Sequence, residues 1–305
     1  MNMVKTYFLL ILMTAILTAF GWVLDRFLHT GGMLMYGFFA FALVMNWVSF
    51  FYSDKIVLKM YRAQPVTPEQ APELHEMVER LSQQAGIPKP PLYIIPEQVP
   101  NAFATGRSPS HAAVACTEGL LNLMNREQVE GVIAHELSHI RNRDTLVSTV
   151  AATLTSAIGM AGHSAQWGAM LGGGRSRDGE SHPLGAILVL VMAILAPIVA
   201  MVIQMAISRT REYGADAFGA QLTGNPEGLA SALERLEAVA ARNPMPALAR
   251  TENMWIVSPL SGSDVASWFS THPPTAKRAA RLREMTREMM TGKGAVASGR
   301  VGTFR

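Results

Sequence analysis

Charge is scarce in this chain. Lys, Arg, Asp and Glu make up 16% of its 305 residues, against about a quarter in an average soluble protein. Apolar residues make up 49%, and mean hydropathy is +0.19. That balance excludes a disordered chain, which is rich in charge and poor in apolar residues, and argues against a surface wetted on every side. The formal charge is only +3 and no basic block occurs, so nucleic-acid binding has no support. Cysteine is nearly absent. Cys116 stands alone and forms no internal disulfide, which excludes a disulfide-stapled secreted domain and fits a reducing compartment. A single thiol of this kind reads as a small buried apolar residue rather than a reactive group. No internal repeat is present.

The missing charge is concentrated in four stretches. Residues 7–24 and 33–52 hold no charged side chain, and each approaches the length of about 20 residues that a helix needs to cross a bilayer. Both are expected to be membrane helices. The first is read as a retained anchor, because its apolar run exceeds a signal-peptide core and no small-residue cleavage site closes it. Residues 184–207 are a third span, beaded with Ala193, Ala196 and Ala200, small residues that let helices approach; the alternative is a buried helix of a soluble core. Residues 146–171 lack formal charge but carry Ser, Thr, Gln166 and His163. They either cross the membrane or lie against it, so two or four crossings remain open.

Between these stretches the sequence looks globular. Thr67, Pro68 and Gln70 predict a helix start of capping-box type, with Leu74, Met77, Val78 and Leu81 at amphipathic spacing and Gly86 closing the helix. Short β-like runs follow at 92–95, 101–105 and 112–116, separated by Pro and Gly. Asn125 with Gln128 opens a helix through Val132, Ile133 and Ile140, Asn225 with Pro226 opens another, and 275–290 read as a third. The expected fold is mainly α with a small β-sheet. Five segments follow: a two-helix anchor over 1–52, half a catalytic domain over 53–144, a hydrophobic pair over 145–207, the second half over 208–291, and a loose tail over 292–305.

The chemistry lies in His135-Glu136-Leu137-Ser138-His139, an H-E-x-x-H inside the helix that Asn125 opens. Residues four apart share a helix face at about 5–6 Å, so two imidazoles converge on one tetrahedral zinc ion. Glu136 is turned about 100° around the axis; it flanks the metal without binding it and takes the proton of an attacking water. Random order of this composition yields the pattern only about 0.01 times. The alternative is a solvated surface helix.

A catalytic zinc site takes a third protein ligand. A continuous helix would carry His163 about 36 Å from His139, and Glu180 and His182 lie beyond that segment. Glu212 follows the 184–207 stretch, which returns the chain to the side it left after Asp144. If both hydrophobic stretches cross, or neither does, His135, His139 and Glu212 share a compartment. Asp216 stands four residues after Glu212, so one helix face presents both carboxylates. Spacing alone leaves two readings open: Glu212 as ligand with Asp216 orienting an imidazole behind it, or a solvated carboxylate pair on a juxtamembrane helix.

The order of these motifs, with Asn101-Ala102-Phe103-Ala104-Thr105-Gly106 before them and Thr271-His272-Pro273-Pro274 with Arg278 after them, resembles the HtpX family of membrane-bound zinc endopeptidases. That family is distantly related to the CAAX prenyl proteases. The resemblance extends over nearly the whole chain and implies a zincin-like domain on a multi-pass anchor in the bacterial cytoplasmic membrane. It implies polypeptide substrates, misfolded or damaged membrane proteins among them. It further implies one zinc ion at His135, His139 and Glu212, with Glu136 as catalytic base. By the same resemblance Asn101, Ala102, Phe103, Ala104 and Thr105 are an edge strand to which substrate adds as a further strand; their own pattern fits an ordinary sheet strand equally. His272 and Arg278 match positions near the metal, where a donor stabilises an oxyanion. On the residues alone, His272 reads as a helix entry before two prolines.

Lys55, Lys59, Arg62, Arg141, Arg143, Arg209 and Arg211 flank the hydrophobic stretches on the catalytic side. The opposite loops offer Arg26, Arg175 and Arg177, each close to an acid. Lys and Arg set orientation, so the site is expected to face the cytoplasm. Two rival functions stand beside a quality-control protease: a processing enzyme of CAAX type, and a non-proteolytic metal-binding scaffold or transport component.

Overall fold

The structure, a computed structural model, describes residues 2–146, 148, 209–242 and 273–291. The hydrophobic stretch 184–207, nearly all of 146–171, His272 and the tail beyond 291 lie outside the described residues.

Two long helices open the chain, α1 (Asn2–Leu28) and α2 (Met33–Met60). They pack as an antiparallel pair because the turn between them is strongly tied. The Asp25 carboxylate accepts the Gly32 N–H at 2.8 Å and the Thr30 hydroxyl, capping α2 with a charge from the end of α1. Gly21 permits close contact, since a Cβ there would stand 2.7 Å from Phe38 Cβ. Asn46 donates to the Leu10 carbonyl at 2.9 Å and the Thr14 hydroxyl at 2.7 Å, so its amide is satisfied inside an apolar pair. Large side chains such as Ile11, Phe41, Val44 and Trp47 point outward. Among the described residues one helix, Met33–Met60, is long and apolar enough to cross a membrane, with mean hydropathy 1.7 over its best window.

That helix does not stop at Tyr52, where the uncharged run ends. It continues to Met60 with Ser53, Val57 and Leu58 buried, because its last turns pack on a sheet. The sheet has four strands, β1 (Gln64–Pro65), β2 (Leu92–Ile95), β3 (Ala102–Gly106) and β4 (Ala112–Thr117), in the order β1-β2-β4-β3. β2 runs parallel to β4 and pairs Leu92 with Val114. β3 runs antiparallel to β4 from Ala102 opposite Cys116 to Gly106 opposite Ala112, which leaves β3 at an edge. Alternate residues face two cores. Leu92, Ala104, Val114 and Cys116 meet the helices, whereas Ile95, Phe103, Ala113 and Ala115 meet Val57 and Leu58 of α2. Covered on both faces, β3 and β4 are buried throughout, which is why they show no polar alternation.

Six helices complete the described domain: α3 (Pro72–Ala85), α4 (Glu118–Leu123), α5 (Arg126–Arg141), α6 (Arg209–Thr223), α7 (Pro226–Arg242) and α8 (Thr275–Met290). The expected starts of α5, α7 and α8 agree with the structure. α3 differs: Gln70 does accept the Thr67 N–H at 2.9 Å, but helix begins only at Pro72, since Ala71 is held out of helical geometry (φ −142°, ψ 66°) by the proline after it. β1, two residues long, has no signal of its own. Glycines set the closest helix contacts. A Cβ on Gly131 of α5 would stand 2.7 Å from the Leu229 nitrogen of α7, and one on Gly219 of α6 would stand 3.0 Å from the His135 nitrogen. The architecture is mostly helical with a small mixed sheet.

Candidate metal centre

α5 carries the histidines. Its start is fixed by a reciprocal cap, with Asn125 Oδ1 accepting the Gln128 N–H at 2.9 Å and Gln128 Oε1 accepting the Asn125 N–H at 3.2 Å. From that start His135 and His139 share the face turned to α6, which brings Glu212 in its first turn. His135 Nε2 and His139 Nε2 lie 3.2 Å apart. Glu212 reaches them at 3.7 Å from His135 Nε2 and 3.5 Å from His139 Nε2. The three side chains thus converge, with a ligand atom of each within 4.8 Å of the others.

These separations match the donor set. Bonds of 2.0–2.2 Å around a tetrahedral ion put neighbouring ligand atoms about 3.3–3.6 Å apart. The protons point the same way. His139 Nδ1 lies 3.1 Å from Asp144 Oδ2 and His135 Nδ1 lies 3.0 Å from Asp216 Oδ1, the second contact short but poorly aligned for a hydrogen bond. Carboxylates facing both Nδ1 atoms favour protons on those nitrogens, which turns the lone pairs of the two Nε2 atoms toward one point, where a cation would satisfy both.

Electrostatics agree. Burial works against a charged His139, yet the Asp144 hydrogen bond and the charges of Glu212 and Glu136 raise its pKa to about 9; the pocket favours positive charge. Burial pushes Glu136 above the usual carboxylate range, offset in part by the two imidazoles and by the Ala104 N–H. That N–H donates to Glu136 Oε2 at 2.8 Å, so the edge of β3 holds the carboxylate. Asp216 is also buried, but Arg278 overrides the burial and holds it at about 2. Arg278 grips it at two points, Nε to Oδ2 at 2.8 Å and Nη2 to Oδ1 at 2.6 Å, and Arg278 Nη1 lies 3.8 Å from Glu212 Oε2.

Of the residues singled out in the sequence, His135, Glu136, His139, Glu212, Asp216 and Arg278 therefore form one cluster, and Ala102, Phe103, Ala104 and Thr105 form the strand beside it, with Asn101 just before it. His272 lies outside the described residues. Asp144 was missed. It stands beyond the end of α5, where no helical face connects it with His139, and its one signal is an acid between Arg143 and an apolar stretch. The Ala104 N–H was missed too, because backbone donors leave no trace in a sequence.

Two imidazoles and a carboxylate around one point, with a second carboxylate beside them, fit the donor set of a metallopeptidase centre. The family model for Peptidase family M48 matches residues 68–286. Similar chains include a protease HtpX homolog of Desulfatibacillum aliphaticivorans, 55% identical over 92% of this chain and 89% of its own length. Another, from Thermococcus sibiricus, is 49% identical over 93% of this chain and 96% of its own. The crystal structure of S. mikatae Ste24p is similar in fold, with a TM-score of 0.51 and 19% identity over 88% of this chain. This chain spans 62% of that one. The chain belongs to Peptidase family M48. It is a metallopeptidase, and the scaffold reading falls away.

Proposed function

We propose that the chain is a membrane-integral zinc endopeptidase that hydrolyses peptide bonds of misfolded or damaged membrane proteins at the cytoplasmic face of a bacterial inner membrane. The observation that carries the reading is the convergence of His135 Nε2, His139 Nε2 and Glu212 at tetrahedral spacing beside a buried Glu136. His135, His139 and Glu212 would hold zinc, which would supply Lewis acidity toward a water and a substrate carbonyl. Glu136 accepts the proton of the attacking water through the oxygen not committed to Ala104 and returns it to the leaving amine. Asp216 and Arg278 position the ligands, and His272 is the candidate donor to the oxyanion.

Substrate adds along β3. In the register with β4, the Thr117 N–H bonds the Asn101 carbonyl, so the backbone groups of Ala102 and Ala104 point away from β4, toward Glu136 and the open edge. An extended peptide laid there brings its backbone to the base.

The membrane reading rests on the outward apolar side chains of α1 and α2 and on the belt at the end of α2. Trp47, Phe51 and Tyr52 cluster there with tilted rings, centroids 5.6 and 5.4 Å from Trp47, and Lys55 lies over Tyr52. Aromatic rings and cations of this kind mark a bilayer surface. Arg107, directly after β3, lies 5.4 Å from the Phe51 ring centroid, which supports a substrate strand near that level. A chain leaving the bilayer would meet the edge at once.

Glu136→Gln tests the mechanism. The purified variant is expected to keep one equivalent of zinc and to lose about 10²–10⁴-fold in turnover of an unfolded protein such as casein. Cleavage at the parental rate would remove Glu136 as the base. A prenylated C-terminal peptide in the same assay separates quality control from defined processing: the proposal expects cleavage of the unfolded chain and none of the peptide.

A further inference from the structure

Behind each imidazole of the centre stands a carboxylate, and behind each carboxylate an arginine. On one side the order is His135, Asp216, Arg278. On the other it is His139, Asp144, Arg211: Asp144 Oδ2 lies 3.1 Å from His139 Nδ1, and Arg211 Nη1 donates to Asp144 Oδ1 at 3.5 Å. Asp144 is 4% exposed and the Arg211 side chain 14%, so the pair is screened far less than a surface ion pair.

The backbone reaches this arrangement by an uncommon route. α5 ends at Arg141, the Asn142 and Arg143 N–H groups close on the carbonyls of Ser138 and Ile140, and Arg143 takes φ +58°. A residue other than glycine is rarely held in that left-handed region without a reason. Its effect is to turn the chain back so that Asp144, beyond the reach of the helix face, meets the His139 ring. Arg211 in turn is the residue before Glu212. One ion pair therefore connects the end of the helix that bears both histidines to the first turn of the helix that bears the third ligand.

We propose that Asp144 and Arg211 are a positioning relay for the metal centre. Asp144 holds His139 with its proton on Nδ1 and Nε2 turned inward. Arg211 holds Asp144 in place and sets the first turn of α6, so that Glu212 meets the histidines. The inference rests on the reading of His135, His139 and Glu212 as ligands and deepens it. Neither relay residue touches the metal position, so their loss changes how firmly a metal is held.

The test uses the full chain in detergent, stripped of metal and titrated with Zn²⁺ against a competing chelator, and separately with Co²⁺ followed by visible absorption. Asp144→Asn is expected to weaken zinc binding about 10–100-fold and to shift the cobalt bands. Arg211→Gln is expected to weaken it about 10-fold, with Arg211→Lys recovering most of the loss. The double variant should bind no more weakly than Asp144→Asn alone, because the arginine acts through the aspartate. Arg80→Gln, which breaks the exposed ion pair with Glu130 at 2.6 Å, should keep the parental affinity. Parental zinc affinity in Asp144→Asn, or in a folded Arg211→Gln, would make the pair a mere staple and overturn the relay; should Arg211→Gln not fold, parental affinity in Asp144→Asn alone overturns it. A parental chain that takes up no zinc, or a His135→Ala chain that binds it as tightly, would overturn the ligand reading and the relay with it.

Discussion

Arg278 is 1% exposed and grips a carboxylate that is itself buried. Such a pair contributes little net stability while whole, but removing one partner strands a charge at a cost of about 3–5 kcal/mol. Arg278→Met is therefore expected to lower stability by about that amount, read as a fall in the melting temperature of the detergent-solubilised protein. Adding Asp216→Asn should recover part of the loss; a double variant as unstable as the sum of the singles would show that the two side chains do not act as a pair. At this scale the sequence was informative where spacing carries the chemistry. His135, Glu136 and His139 are tied by one helical turn, and Glu212 and Asp216 by another. It was silent where the partner is reached through a turn or a backbone group, as with Asp144 behind Arg143 and the Ala104 N–H on Glu136.

Among the elements, β3 connects α5 to the end of α2. Its residues 102–106 are buried on both faces, one set against α5 and the other against the end of α2. The Ala104 N–H points off the free edge, so proline there breaks no sheet bond, and edges tolerate proline. Ala104→Pro is expected to keep the fold, at a lowered melting temperature, while turnover falls about 10–100-fold, the equivalent of a lost hydrogen bond to a charged acceptor, about 1.5–3 kcal/mol. Unchanged turnover in a folded variant would mean that the Ala104 N–H neither holds the base nor meets the substrate. Helix starts were legible because caps are local: Asn125 with Gln128 and Asn225 with Pro226 act within one turn. Strand order was not, since β4 enters between β2 and β3 and nothing in three short apolar runs encodes that neighbour choice.

For the molecule as a whole, the apolar hairpin and the catalytic domain meet at the end of α2. Lys55, Lys59 and Arg62 lie past the aromatic belt, on the side of the sheet, and the tight turn at residues 29–32 lies at the other end. Cys116 gives a clean background for locating both. Burial, with the Glu136 charge beside it, pushes its thiol up to about 12, so at pH 8 it carries almost no thiolate and should not label in the folded protein. Cysteines placed by Thr30→Cys and Arg62→Cys are expected to label from opposite faces of the membrane, the second from the cytoplasm. Labelling of both from one face would remove α2 as a crossing and the cytoplasmic orientation with it.

By itself the sequence determined the H-E-x-x-H spacing, the apolar stretches and the helical character of the chain. Each is written in short-range periodicity: a four-residue spacing, an uncharged run, a cap three residues from its partner. Only the tertiary structure decided that α6 lies against α5 at the histidines, that β3 is an edge strand with its donor on Glu136, and that α2 runs on past its apolar stretch to cover the sheet. Those outcomes depend on contacts between residues far apart in the chain, made where glycines such as Gly131 and Gly219 let backbones close and where buried charges found partners. No local pattern can state in advance which distant surface will supply them.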